Sequence, residues 1–287
     1  MTNFIGVDLA WGEGTPTRQA KETGLAIIDE LGTVLDAGWA RGINAVAEWI
    51  LAHAEAGDVI AIDAPLVIPN ETGMRLAERQ VGMGYGRWKV AANASNQQMG
   101  WQGGVTLRMR LEAEGLRYSS GRTSASPDER TFFECYPYTT MVGMEELGYE
   151  VERPRYKRLV TSMPAADARQ LRARECDELI RRMQALIDAD PPLDIAAHPV
   201  TRVLIDELSP IADIPYKHRE DLLDAALSAW TASIWHRHGD SRVQCLGEGD
   251  APDAEGRVAT IVAPARPEQR VKGRAMRVLP TVELPEA

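Results

Sequence analysis

Five carboxylates stand where they could share one piece of chemistry: Asp8, Asp63, Glu134, Asp221 and Asp224. Each is set among apolar neighbours, in the segments FIGVDLA, DVIAID, RTFFECY and DLLDAAL. A carboxylate carried into an apolar interior is costly unless it is paired, hydrogen-bonded or bound to a cation, so several converging ones point to a metal. Hard oxygen donors of this kind suit Mg²⁺ or Mn²⁺. Two such ions about 4 Å apart activate a water and stabilise the leaving oxygen of an in-line phosphoryl displacement, which needs carboxylates but no protein nucleophile. The sequence supplies the carboxylates and no evident nucleophilic triad. All five are therefore candidate metal ligands and catalytic residues, and Asp221 and Asp224, three apart, share a helix face from which both reach one place.

Each acid also has a plainer role open to it. An Asp at a strand end commonly caps a turn. Glu134 suits an exposed edge strand, while Asp221 and Asp224 suit the first turns of a helix, where the macrodipole favours acids. His218 reads as a surface or capping residue rather than a ligand. Trp88, Trp101, Trp230 and Trp235 read as core rather than as platforms for bases, with the Arg87-Trp88-Lys89 triplet as the exception to watch. Arg153, Arg155, Lys157 and Arg158 form one basic cluster, and Arg266, Arg270, Lys272, Arg274 and Arg277 another. Either could touch phosphates, though solvated charge is the simpler reading.

The acids have to be positioned by strands and helices, and the pattern predicts which. Residues 3–10 read as a first strand ended by the Gly12-Glu13-Gly14 loop, with Asp8 near its carboxyl end. Thr23–Asp29 and Thr33–Trp39 are β-prone runs whose short spacing around Gly32 suits a hairpin. Ile43–Ala54 has helical periodicity, and Asp58–Asp63 then reads as a buried strand. A helical crossover lets this fourth strand lie parallel to the first on its free side, so that Asp8 and Asp63 end neighbouring strands. Alternation puts Asp8 on a face with Gly6 and Phe4, and Asp63 with Ala61 and Val59, small side chains that leave room. Gly73–Val81 and Val105–Glu114 are predicted helices, Tyr118–Asp128 a polar loop and Arg130–Tyr136 a fifth strand. Ala165–Asp188 predicts a long amphipathic helix, 200–208 another turn or two, Lys217–Trp235 the strongest helix, and Arg257–Ala263 a last edge strand. The expected class is α/β, one domain over 1–264 with a helical insertion around 67–130 and an extension over 265–287.

Composition bounds the function. With 287 residues, 44% hydrophobic and 26% charged, the chain has an ordinary globular make-up. No apolar run approaches the roughly 20 residues of a membrane span. The start, MTNFIGVDLAW, has neither a basic leader nor a cleavable small-residue site, so a cytoplasmic location is expected. Cys135, Cys176 and Cys245 have the spacing of neither a disulfide framework nor a zinc knuckle and read as packed thiols. A net charge of −10 argues against strong generic attraction to a phosphate backbone, so any nucleic-acid contact must be local.

The words GVDLAW (Gly6–Trp11), IDAPL (Ile62–Leu66), Gly73-Met74-Arg75 to Glu78-Arg79, ECYP (Glu134–Pro137) and DLLDAALSAWTA (Asp221–Ala232), with a closing strand at Val262-Ala263-Pro264, resemble in order and spacing a predicted-nuclease family of RNase H-like fold, domain-of-unknown-function family 429. The resemblance runs nearly end to end. It implies a mixed five- to six-stranded sheet, an antiparallel meander followed by parallel strands, flanked by helices. In the wider group, which includes the Holliday-junction resolvases, metal acids occupy strand one, strand four and a late helix that often carries DxxD. Asp8, Asp63 and Asp221-Leu222-Leu223-Asp224 match those positions, and Glu134 matches the family's own strand-five motif. The implied activity is hydrolysis of phosphodiester bonds with Mg²⁺ or Mn²⁺, on a nucleic-acid partner met through local contacts.

Two other readings compete. GVDLAWGEGT is similar to the Gly-rich phosphate hairpin of the sugar-kinase and actin group, but no second β-β-β-α-β copy with its own phosphate loop follows. A non-catalytic binding protein that kept the fold is the other, and the acidic charge favours it.

Overall fold

The computed structural model describes residues 2–15 and 17–272. Strands β1 (Phe4–Asp8), β2 (Glu22–Ile28) and β3 (Val34–Arg41) form an antiparallel meander. The turn between β2 and β3 is closed by Asp29, whose Oδ1 accepts the N–H groups of Leu31 and Thr33 at 2.9 Å. Gly32 within it has φ +77°, a left-handed conformation that glycine adopts without a Cβ clash. Helix α1 (Ile43–His53) buries Ile43, Val46, Ala47 and Ile50 at helical spacing. It returns the chain so that β4 (Val59–Ile62) lies parallel to β1, with Gly6 beside Ala61 and Val7 beside Ile62.

The segment expected as a helical insertion contains α2 (Leu76–Tyr85), α3 (Gly103–Ala113) and a two-residue strand β5 (Arg117–Tyr118). The strand expected as the fifth is therefore β6 (Thr131–Glu134), parallel to β4, and β5 pairs outside it. The sheet has six strands in the order β3-β2-β1-β4-β6-β5. This is the mixed α/β arrangement expected, a meander followed by parallel strands.

Both faces of the sheet are covered, which is why its central strands are apolar at nearly every position rather than at alternate ones. Ile5, Val7, Leu25, Ile60, Ile62 and Phe132 pack with α1 and α3. Phe4, Ala26, Val59, Ala61 and Phe133 face the other way, into a layer built by α4 (Pro137–Gly143), α5 (Ala165–Gln184), α6 (Pro199–Asp206) and α7 (Asp213–His238). Every residue of α7 from Arg219 to Trp235 is buried, as a helix enclosed on all sides must be. Trp88, Trp230 and Trp235 are core, as expected, whereas Trp101 is 59% exposed and is not.

The predicted edge strand over Arg257–Ala263 is instead β8 (Ile261–Pro264), paired antiparallel with an unanticipated β7 (Val243–Leu246) in a separate two-stranded sheet. It touches the main sheet through one parallel bridge between Cys135 and Val262. A four-residue apolar run shows that a strand forms but not which partner it takes. In the expected basic tail, Arg266 pairs with Glu150 at 2.6 Å and Arg270 donates to Val243 O and Ser241 O. These two arginines fasten the chain end to the body; Arg274 and Arg277 lie outside the described residues. No helix among the described residues is long and apolar enough to cross a membrane.

What brings α7 onto the sheet is the absence of two side chains. A Cβ at Gly6 would lie 1.9 Å from Ala225 O, and one at Gly24 would lie 2.0 Å from Asp221 O. The helix backbone thus rests directly on β1 and β2, and Ala225, Ala226 and Ala229 keep its own contact surface thin. Gly6→Ala is expected to force the helix away at a cost of about 3 kcal/mol, at the upper end of ordinary overpacking. Urea denaturation checks this, and wild-type stability in the variant would contradict so close an approach.

Candidate metal centre

The parallel register of β1 and β4 places Asp8 and Asp63 side by side, and the Asp63 N–H continues the ladder by donating to Val7 O at 2.8 Å. Both side chains belong to the α7 face, as period-two alternation requires. There α7 adds Asp224. One carboxylate oxygen from each of Asp8, Asp63 and Asp224 lies within 4.8 Å of the others. Asp221, a turn earlier on α7, sits against Asp8. Four of the five anticipated acids are thus brought together at the carboxyl ends of the two central strands.

Asp224 is fully buried, and its Oδ1 accepts the Tyr156 hydroxyl at 2.5 Å. Its Oδ2 is engaged by the Lys157 ammonium, 2.6 Å away. Lys157 Nζ also lies 3.8 Å from Asp63 Oδ2. On the other flank Lys217 Nζ is 2.6 Å from Asp221 Oδ1, 2.9 Å from Glu220 Oε1 and 4.0 Å from Asp8 Oδ2. Two ammonium groups therefore stand against five carboxylates, and the negative charge is not balanced from within.

The carboxyl groups register that excess. Burial raises Asp63 well above the ordinary carboxylate range; Lys157 pulls it back, while the charges of Asp8, Asp224 and Glu134 add to the rise. Burial and the neighbouring Asp8 charge push Asp221 up to about 9, against the pull of Lys217. Asp224 is raised to about 6, by burial first, with Lys157 opposing. Burial disfavours the Lys157 charge, but Asp224, Asp8 and Asp63 outweigh it and hold the ammonium protonated. A compact set of hard oxygen donors with surplus negative charge fits a divalent cation such as Mg²⁺ or Mn²⁺.

Glu134 does not join the cluster. It pairs in register with Ile62 rather than Asp63, so it projects from the opposite face of the sheet. Both of its oxygens are taken. Arg75 donates Nη2 to Oε1 at 2.6 Å and Nη1 to Oε2 at 2.8 Å, and the Leu66 N–H donates to Oε2 at 3.0 Å. Arg75 also donates Nε to Glu78 at 2.8 Å and Nη1 to Val67 O at 3.0 Å. This buried fork anchors residues 66–67, just beyond Asp63, to the end of β6. The β6 neighbour on the cluster's side is Cys135, whose thiol donates to Ser228 Oγ of α7 at 3.4 Å.

Lys157, read as part of a basic cluster that could touch phosphates but more simply as solvated charge, is the residue whose place at the acids sequence reasoning missed. It lies in a stretch with no helix or strand, so no periodicity could aim it at the acids; its one local signal is the adjoining Tyr156, itself completely buried. His218 is engaged by other partners than the acid cluster. It bonds to Glu22 through Nδ1 at 2.8 Å and stacks on Trp39 at 3.5 Å between ring centres.

Fold and site together define a mixed α/β protein with a carboxylate cluster where a helix crosses the ends of its two central strands. The model of the DUF429 family, described as a protein of unknown function, matches residues 6–250, and the chain belongs to that family. No curated protein and no solved structure matches it.

Because Asp63, Asp221 and Asp224 have higher pKa values folded than unfolded, the folded chain binds more protons than the unfolded one between about pH 4 and pH 9. Stability without metal should fall as pH rises through that interval. Asp63→Asn removes part of this penalty. At pH 7 it is expected to raise the metal-free unfolding midpoint by about 2–4 °C, the shift that ~1 kcal/mol produces in a domain of this size. Thermal unfolding of the two proteins from pH 4 to pH 8 measures the effect, and an unchanged or lower midpoint in the variant would count against unbalanced charge.

Proposed function

We propose that the protein is a divalent-metal-dependent nuclease of RNase H-like type that hydrolyses phosphodiester bonds. The observation that carries this reading is the convergence of Asp8, Asp63 and Asp224, from three separate elements, on one point within 4.8 Å. Buried like charges are retained against a large desolvation cost only where something compensates them. Asp8, Asp63 and Asp224 would hold Mg²⁺ or Mn²⁺, with Asp221 supporting Asp8. The chemistry that such ions supply is polarisation of a phosphoryl oxygen and a more acidic attacking water.

The chain's own groups have definable tasks beside this. Tyr156 fixes the rotamer of Asp224 through its 2.5 Å hydrogen bond. Lys157 and Lys217 reach the same carboxylates, so their positive charge is at hand where a phosphate oxygen would gather negative charge in the transition state. The Arg75–Glu134 fork steadies the chain that follows Asp63, and Glu134 serves as a positioning residue rather than a ligand.

Calorimetric titration with Mn²⁺, paired with cleavage of single-stranded, duplex and branched nucleic acids, tests the proposal. Binding and cleavage are expected, with Asp8→Asn and Asp224→Asn weakening Mn²⁺ binding at least about tenfold, a loss of ~1.4 kcal/mol, and abolishing cleavage. Affinity should drop as pH falls through about 6, where Asp224 takes up a proton in competition with metal. No heat of Mn²⁺ binding and no cleavage of any substrate would end this reading.

A further inference from the structure

Two recesses open beside the acid cluster and share two lining residues, Trp11 and Lys21. One, of about 670 Å³, reaches Lys157, Arg158 and Lys217. The other, of about 620 Å³, runs along the loop after β1, past Arg18, to Trp101. Lys21 also lines the recess that contains Asp8 and Asp221, and Trp11 the small cavity that contains Asp63. The groove and the carboxylates therefore adjoin one another across shared lining residues.

The groove's chemistry differs from that of the chain as a whole. In a protein of net charge −10 it gathers Arg18, Lys21, Lys157, Arg158, Arg172 and Lys217 against Glu13, Asp213 and Glu220. Lys157, Lys217 and Arg172 are held in ion pairs with acids of the chain. The side chains of Arg18 and Lys21 have no ion-pair or hydrogen-bond partner among the described residues and face the groove with their charge unspent. At its far end Trp101 presents an indole that is 59% exposed, on a residue whose apolar character would otherwise bury it.

A polyanion with flat, apolar bases matches this combination of unpaired cations, an open aromatic ring and a carboxylate cluster. An aromatic side chain can stack only on a base whose face is free, whereas a duplex offers mainly its phosphates and calls for a broad basic surface. We propose that the groove binds single-stranded nucleic acid, with a base stacked on Trp101 and the following phosphates against Arg18 and Lys21, leading the strand to the acid cluster. This names the substrate class of the metal-dependent reading and rests on it for what happens at the carboxylates, but binding in the groove is measurable without metal.

The test is the binding of a labelled oligothymidylate in EDTA, followed by fluorescence anisotropy, beside a duplex of equal length. The single strand should bind at least about ten times more tightly than the duplex. Trp101→Ala should weaken it about 5- to 100-fold, as loss of one stacked base does, and Trp101→Phe should recover part of the loss. Lys21→Gln should lower the slope of log affinity against log salt by about 0.7, the value of one phosphate contact on a single strand. Equal affinity for duplex, or an unchanged affinity in Trp101→Ala, overturns the proposal. Mn²⁺ binding by the same preparations separates the two ideas: with metal binding intact, a Trp101-independent result removes the groove alone. Trp101-dependent binding without any Mn²⁺ binding keeps the groove and removes the metal centre.

Discussion

The contact of the α7 backbone with β1 and β2, at the positions of Gly6 and Gly24, governs the rest of the molecule. A helix and a sheet normally stand apart by the thickness of two layers of side chains. Here one layer is missing on the sheet side, and the carbonyls of Ala225 and Asp221 occupy its place. Asp221 and Asp224 have short side chains, so only a helix this close can deliver their carboxylates to the strand ends. The apolar remainder of α7 down to Trp235 holds the helix there, buried on all sides.

A second constraint works from the other face. Arg75 binds Glu134 with two nitrogens and Glu78 with a third, all three being buried. A paired, fully hydrogen-bonded guanidinium of this kind is geometrically demanding, and removing either partner would leave a buried charge uncompensated. It ties the chain after β4 to the end of β6, which keeps the carboxyl ends of the parallel strands in register where Asp63 emerges. The two devices divide the work: glycines admit the helix, and the fork holds the loop.

Between them lies a region in strong electrostatic tension. Five largely buried carboxylates and two ammonium groups give raised carboxyl pKa values and protonated lysines at the same spot. Lys157 arrives from a segment of irregular backbone and puts its charge on Asp224 and Asp63. The donor atoms that converge there are those that hard divalent ions prefer.

The meander, the crossover helix and the parallel return of β4 were all legible in the chain, because alternation of period two and helical spacing are local properties. So was the convergence of Asp8 with Asp63, since parallel neighbours end together, and so was the DxxD pair of α7. Glu134 shows where such reasoning stops. Its segment reads correctly as a strand, but a shift of one residue in register decides which face an acid takes, and that register is set by pairing with β4. Lys157 and Trp101 lie outside any periodic element, and β8 takes its partner from a distant stretch, so only the assembled chain could say what they touch. The sequence by itself determined the meander, the crossover helix, the fourth strand and the long late helices with the acids they carry, through local patterns of apolar spacing. Tertiary structure alone decided which of those acids meet and which cations oppose them, because both follow from distances between segments far apart in the chain.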